Sequence, residues 1–449
     1  MIETRLQWKL FVAEAANDSL LLHVVPIHDE IHSAINSPSI LFIKNLDKDK
    51  TYYYGFDHPD VKRPKDLTNQ EVIETLSVLP GTKWAVDKKS FDHLVPIRGT
   101  LDVGYIGYVR DNKVFEIRDF ETPAHTLVRR NFAGKPGYGK FVPLMKHLEA
   151  FTELAETCER LIKKVKIDDP MRQFNQKIIE PLGEVETHGL AVDVDVFRRN
   201  FGNIFVKSGR VYTQYYFYTS TGRPSNRFGG INYAALNKED GSRKAFISRF
   251  GQNGTLVLID YSAFHPRIIA KLVGYDIPAT TDIYEYLAKL YFNKKNVDES
   301  DIADAKQITF RQLYGGVEEK YSHIKYLSHL KNFIDEYWNN FNKHGYVETP
   351  IFKRRISNKH LQNPKPATVF NYLLQATEGE ISIPVLGSVN ELLRKKQSKA
   401  ILYTYDSILF DYCLDDGPIF PEICDLMSLD GEFPTKVYIG RNYHDMTVL

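Results

Sequence analysis

The chain has 449 residues, 43% of them hydrophobic, and a formal net charge of +1. That length allows about three domains with sizeable cores, whereas no apolar run reaches the roughly 18 residues of a membrane span and the N-terminus lacks a signal peptide's order. The three cysteines, Cys158, Cys413 and Cys424, have no metal-type spacing, which excludes a structural zinc motif and fits buried thiols in a reducing, cytoplasmic compartment.

Residues 1 to about 145 read as alternating strands and helices. "SLLLHVVPI" and "SILFIKNLDKDKTYYYGF" are strand-like, the second a hairpin turning at Asp47–Lys50. In "TNQEVIETLSVL", Thr68 stands as an N-cap with Glu71 three residues on, a capping-box start to a helix. From Val142 to Lys166 apolar residues recur at helical spacing and the end is basic, which predicts a long amphipathic helix. "DDPMR" (Asp168–Arg172) breaks it. A domain boundary is expected there, with residues 1–168 forming one domain and 169–449 the other.

Beyond Arg172 the chain becomes locally basic. Between Arg198 and Arg249 ten Lys or Arg stand against two acids, Glu239 and Asp240, with aromatic residues such as Phe205, Tyr212, Tyr216 and Tyr218 threaded among them. Such a stripe suits a phosphate backbone with bases stacked beside it, or a solvated face over a structural strand. "FKRRISNKHLQNPK" is a second basic stretch without an acid.

Two acids lie in apolar surroundings. "LVLIDYSAFHPRIIAKL" ends an apolar strand on Asp260, and "KAILYTYDSILFDY" reads as an apolar strand with Asp406 at its midpoint. A charge so placed is costly unless it is paired or binds a metal. Each acid alone fits a strand-end cap or an ion pair; two of them point to carboxylates converging on divalent cations. Between them, a helix over "DIADAKQITFRQLYGGV" puts Lys306, Phe310 and Tyr314 on one face and ends at Gly315–Gly316. That row suits a nucleoside triphosphate, or an exposed helix with a snorkelling lysine.

In collinear order, "DYSAFHPRIIAKL", "AKQITFRQLYGG" and "YTYDSILFD" resemble motifs A, B and C of the family A (DNA polymerase I-like) polymerases. "TSTGRPSNRFGGINYAALN" is similar to the family's Thr-Gly-Arg-x-Ser segment and the Asn-x-x-Asn stretch after it, "SRKAFI" to its Arg-x-x-Phe, and "ATVFNYLLQATEGEI" to its Asn-x-x-x-Gln helix. The resemblance covers about residues 173–449. It implies an α+β right-hand polymerase: palm at about 216–270 and 370–449, fingers at about 271–369, and a reduced thumb at about 169–215. An α/β exonuclease-like (RNase H-like) domain precedes it. The implied function is a template-directed DNA polymerase that adds dNTPs to a primer 3′-hydroxyl with two Mg²⁺ ions, for which Mn²⁺ can substitute. Its compact size resembles phage replication enzymes, working as a monomer in the host cytoplasm on primer-template DNA, with a processivity factor and no membrane. By resemblance Asp260 and Asp406 hold the metals and are catalytic together with Lys306. His265, Arg267, Lys306, Phe310, Arg311 and Tyr314 bind the nucleotide, and Arg223, Ser225, Asn232, Arg243, Asn371 and Gln375 bind DNA.

The chain departs from the family pattern at four places. His265 stands where motif A carries the Glu that blocks a 2′-hydroxyl; it is bulky, so a deoxynucleotide preference is still expected. Ile302 replaces the Arg before the motif B lysine, so another cation such as Arg311 is needed at the phosphates. Motif C reads Tyr405-Asp406-Ser407 in place of His-Asp-Glu, and Phe310 lacks the hydroxyl that admits dideoxynucleotides. Little chain separates the N-terminal domain from Arg223, which implies weak grip and low processivity. In that domain "GTKWAVDKKSFDHL" resembles the second exonuclease motif at Asp92, with Asp102, Asp29 and Glu30 as further acids. The last motif is missing, which implies an exonuclease-like fold that has lost catalysis. The alternatives are a single-subunit RNA polymerase or primase-like synthase, disfavoured by His265, and a non-catalytic nucleic-acid binder. Against the binder stands the joint presence of Asp260, Lys306, Tyr314 and Asp406.

Overall fold

The computed structural model describes the chain apart from residues 29–30, 111–136, 359–360 and 362, so Asp29 and Glu30 lie outside the described residues. Two compact units are present, Met1–Gly183 and Glu184–Leu449. Among the described residues no helix is long and apolar enough to cross a membrane.

The first unit is built on a sheet of β1 (Leu20–Pro26), β2 (Pro38–Asn45), β3 (Lys50–Gly55), β4 (Lys83–Ala85) and β5 (Thr100–Asp102), in the order β3-β2-β1-β4-β5. β2 runs antiparallel to both of its neighbours, while β4 and β5 run parallel to β1. The hairpin expected from the sequence is β2–β3. Helix α1 (Asn69–Val78) starts as the capping box predicts: Thr68 Oγ1 accepts the Glu71 N–H and Glu71 Oε2 accepts the Thr68 N–H, both at 3.1 Å. α2 (Lys88–Leu94) follows β4. The long amphipathic run folds as α3 (Leu144–Ile162), which buries Phe151, Leu154, Ala155 and Cys158. Trp8, Phe11, Leu22, Ile43, Tyr54, Leu76 and Phe91 belong to the core of this unit.

The second unit centres on β6 (Gly254–Tyr261), β7 (Lys399–Tyr403), β8 (Ser407–Cys413), β9 (Thr435–Gly440) and β10 (Met446–Val448), an antiparallel sheet in the order β7-β8-β6-β9-β10. β6 is the middle strand and alternates its apolar residues: Leu256 and Leu258 join a cluster with Phe197, Tyr233, Phe246 and Leu409, while Val257 and Ile259 point to the other face. After β6 come α4 (Phe264–Leu272), α5 (Ile283–Phe292), α6 (Glu299–Gly315), α7 (Lys325–His344) and α8 (Pro366–Leu393). α8 is apolar on nearly all sides and is correspondingly buried, which fits a central helix. Its Ser382 Oγ lies 2.7 Å from Tyr403 Oη of β7.

One expectation is corrected here. Asp406 does not lie in mid-strand: β7 ends at Tyr403, β8 begins at Ser407, and Tyr405 between them has φ 69°. Both strands are buried on both faces, so the sequence shows one continuous apolar run with no alternation to betray the turn.

Candidate active site

β6 and the β7–β8 turn bring Asp260 and Asp406 together. Asp260 is paired in register with Ser407, and the Tyr261 N–H donates to the Asp406 carbonyl at 2.8 Å. Each acid is next to a turn with a non-glycine residue in the left-handed region, Ala263 (φ 52°) and Tyr405 (φ 69°). Such backbone costs about 1–2 kcal/mol per residue and persists where the surroundings impose it, often at functional sites. Burial first, and then the Asp406 charge, pushes the Asp260 carboxyl up to about 7. Asp406 is raised as well, by burial and then by Glu378. Among the described residues no Lys or Arg forms an ion pair with either acid.

These acids line one wall of an open cleft of about 670 Å³. The facing helix α6 runs from a capping box at Asp298 and Asp301 to Gly316 (φ 95°) and presents Lys306, Phe310 and Tyr314 in a row, as its spacing predicts. The Phe310 and Tyr314 rings stack 5.8 Å apart at 13°, and Lys306 Nζ lies 5.6 Å from the centre of the Tyr284 ring. Lys306 is exposed, so its charge is available to a ligand. Lys436, on β9 directly across from Asp260, also lines the cleft. The sequence reading missed it: in "TKVYIG" it stands as a lone lysine on a strand, and its place opposite Asp260 is set by pairing distant in the chain. Arg311 lies on the exposed side of α6, outside the cleft lining.

Behind the acids stands a second missed residue. Glu378, on α8, is 1% exposed. Its carboxylate pairs with Arg223 Nε at 2.8 Å and lies 3.1 Å from His265 Nε2. His265 Nδ1 in turn lies 2.5 Å from Tyr314 Oη, and the Arg223 guanidinium sits 3.7 Å over the Tyr405 ring. Asn371, one helical face with Gln375 and Glu378, donates from Nδ2 to the Tyr314 carbonyl at 3.0 Å. Tyr314 is thus held at both its hydroxyl and its backbone.

The other predicted residues are placed less centrally. Arg267 lines the cleft, but its guanidinium is occupied by the carbonyls of Pro278, Ala279 and Thr281, at 2.8 Å for Thr281. Arg243 donates to the Leu236 carbonyl and lies over the Tyr443 ring, 4.4 Å from its centre. Ser225 and Asn232 belong to the small sheet of Tyr215–Tyr216, Ser225–Phe228 and Ile231–Asn232, outside the cleft lining. In the first unit, the Asp92 carboxylate pairs with Lys88, which lies 3.1 Å from Glu180 as well. Asp102 accepts the backbone N–H groups of Lys88 and Gly104, each at 2.6 Å. Among the described residues no group of three or more His, Cys, Asp or Glu is arranged to hold a metal ion, in either unit.

Comparison with known proteins places this cleft in context. The family model described as DNA polymerase family A matches residues 197–443. DNA polymerase I of Streptococcus pneumoniae (strain ATCC BAA-255 / R6) is 25% identical over 243 residues, 45% of this chain. The chain spans only 27% of that relative's length. The fold matches the POL domain of Pol1 from M. smegmatis, solved in complex with DNA primer-template and dNTP, with a TM-score of 0.71 over 97% of both chains at 14% identity. An α+β polymerase fold is the architecture the sequence motifs implied.

Proposed function

Because the chain belongs to DNA polymerase family A, we propose that it extends a primer 3′ end along a template strand by adding deoxynucleotides. The observation that carries this reading is the cleft itself: two half-buried acids on one wall, a lysine and stacked rings on the other. In this reading the sheet β6–β10 belongs to the palm, α5–α7 form the fingers, and residues 169–215 form a reduced thumb.

The acids fit divalent cations. Both carboxyls are raised by burial and by neighbouring negative charge, which outweigh the cations around them, and among the described residues no Lys or Arg forms an ion pair with either. Asp260 and Asp406 would hold Mg²⁺ or Mn²⁺, which when bound supply charge neutralisation for the attacking and leaving oxygens. A pair of carboxylates suits Mg²⁺, which keeps water and substrate phosphates as its remaining ligands.

The chain's own residues then bind and orient. Lys306 and Lys436 attract the triphosphate, with Lys436 as the second cation that Ile302 fails to provide. Phe310 packs against base and sugar, Tyr314 lies beside the new pair, and His265 faces the sugar. Arg223, Asn371 and Gln375 contact the primer and template nearest the cleft; Ser225, Asn232 and Arg243 do so further out. Positioning and fixed charge dominate such a reaction. For the first unit, the strand order with only β2 antiparallel supports an RNase H-like, exonuclease-like ancestry. Lys88 among its acids supports the loss of catalysis.

Extension of a labelled primer with Mg²⁺ and dNTPs, NTPs or no nucleotide tests the proposal. Template-length products from dNTPs, lost in Asp406→Ala, are expected. Binding of primer-template without extension under any condition would leave a non-catalytic binder. Primer shortening without nucleotides would restore the exonuclease to the first unit.

A further inference from the structure

The second basic stretch of the sequence, "FKRRISNKHLQNPK", enters a hairpin of Tyr346–Glu348 with Arg355–Ser357, and none of its described residues lines the cleft. Its side chains alternate: Lys353 and Arg355 are exposed, while Arg354 between them is buried, at 3% exposure. We propose that Arg354 is a positioning residue for primer extension: it fixes the loop Thr219–Arg223 and so sets where the Arg223 guanidinium lies beside the turn that carries Asp406. This rests on the polymerase reading above.

A guanidinium is buried only where it has partners. Arg354 Nη1 donates to the Ser220 carbonyl at 3.1 Å, and the Arg354 backbone N–H donates to Thr349 Oγ1 at 2.9 Å, which ties the same residue to its own hairpin. α8 holds that hairpin in turn: Glu380 Oε2 accepts the N–H groups of Ile351 and Phe352 at 3.0 and 3.2 Å. The loop reached by Arg354 is a tight turn. Thr219 Oγ1 donates to the Arg223 carbonyl at 2.8 Å, the Gly222 N–H donates to the Thr219 carbonyl at 3.1 Å, and Gly222 has φ 78°. A Cβ at Gly222 would lie 3.1 Å from Arg354 Nη2, so the guanidinium packs directly against this turn. The next residue, Arg223, pairs with Glu378 at 2.8 Å and lies 3.7 Å over the ring of Tyr405, the neighbour of Asp406. Arg354 therefore anchors the backbone from which the Arg223 side chain reaches the acid's turn. A loop shift of about 1 Å would move Arg223 off Tyr405, and a misplacement of that size costs up to about 10²-fold in rate.

The test is single-nucleotide insertion by the full chain, with kcat and KM taken per folded molecule. Arg354→Met, which fills the space but has no donor, is expected to lower kcat about 10-fold or more and to leave the KM for dNTP within about 2-fold, since Lys306 and Lys436 are untouched. Arg354→Lys keeps a donor for the Ser220 carbonyl and is expected to retain kcat within about 3-fold. In an Arg223→Met background, Arg354→Met should change kcat no further, because Arg354 acts through Arg223. Should Arg354→Met fail to fold, Gly222→Ala presses on the same contact from the loop side; it is expected to give the same loss, again absent in the Arg223→Met background. An unchanged kcat in the variant that folds, or an equal further loss in the Arg223→Met background, overturns the inference while leaving the polymerase reading intact. No dNTP insertion by the wild type overturns the polymerase reading, and the inference falls with it.

Discussion

The first unit gathers Asp92, on α2, and Asp102, at the end of β5; the second gathers Asp260, near the end of β6, and Asp406, in the β7–β8 turn. Their surroundings differ in one respect that decides their chemistry. In the first unit the cation is part of the chain. Burial acts to lower the Lys88 pKa, yet Asp92 and Glu180 outweigh it and the net shift is upward, so the ammonium keeps its proton. Asp102 is saturated by backbone N–H groups. In the second unit, among the described residues, no Lys or Arg forms an ion pair with either acid; after burial, the Asp406 charge raises Asp260 and the Glu378 charge raises Asp406. A satisfied cluster holds a fold together; an unsatisfied one waits for a ligand.

Substitution of one acid from each cluster sharpens this contrast. Asp260→Ala should lower primer extension by about 10³-fold or more, because it removes half of the site that organises the reacting charges. Its melting temperature should stay level or rise, since a half-buried carboxyl without an ion pair has gone. Asp92→Ala should do the opposite. It leaves buried Lys88 with Glu180 alone, a loss of about 2–3 kcal/mol in denaturant unfolding, while extension per folded molecule is unchanged. Reversed phenotypes would mean that the first unit, not the second, holds the working acids.

The contrast was only partly legible in the sequence. The α6 row could be read because a helix face is fixed by spacing alone, and the α1 capping box because both partners are local. The environments of the acids could not. Asp411, in the same apolar run as Asp406, is fully buried, yet Ser248 Oγ and Arg249 Nε each reach it at 2.6 Å. Nothing in "YTYDSILFDY" separates a satisfied Asp411 from an unsatisfied Asp406, because the partners lie more than 150 residues away in the chain. Glu378 was missed for the same reason: within α8 it reads as one polar residue in an apolar helix. Its meaning comes from Arg223 and His265.

The raised acids also make a pH prediction. Asp260 is raised from 3.8 to about 7, so between those values the folded protein keeps a proton that the unfolded chain has shed. Its contribution to stability without metal therefore falls as pH rises through that window and is gone above about 7. Metal binding must displace the same proton, so stabilisation by Mg²⁺ should grow with pH. Thermal melts with and without Mg²⁺ at pH 6 and 8 are expected to show the larger shift at pH 8, and little in Asp260→Asn. An equal shift at both pH values would mean that the second unit, like the first, already carries its own cation.

Lys436, directly across the sheet from Asp260, sets the smallest effect. Directly opposed residues on one face of an antiparallel pair are in reach of each other, and Lys436 is opposed to Asp260. Its pull on Asp260 ranks below burial, Asp406, Lys238 and Lys306, and its side chain is exposed, so water screens it. It is too weak to do for Asp260 what Lys88 does for Asp92. Its place in the cleft lining gives it the triphosphate as a partner instead. Lys436→Ala should raise the KM for dNTPs about 5-fold, the size of one screened charge contact, and leave kcat nearly unchanged. Arg311→Ala, on the outer side of α6, should move neither. If Arg311→Ala raised KM and Lys436→Ala did not, the missing phosphate cation would come from the helix, as the sequence alone had implied, and the β9 edge would be merely a neighbour of the acids.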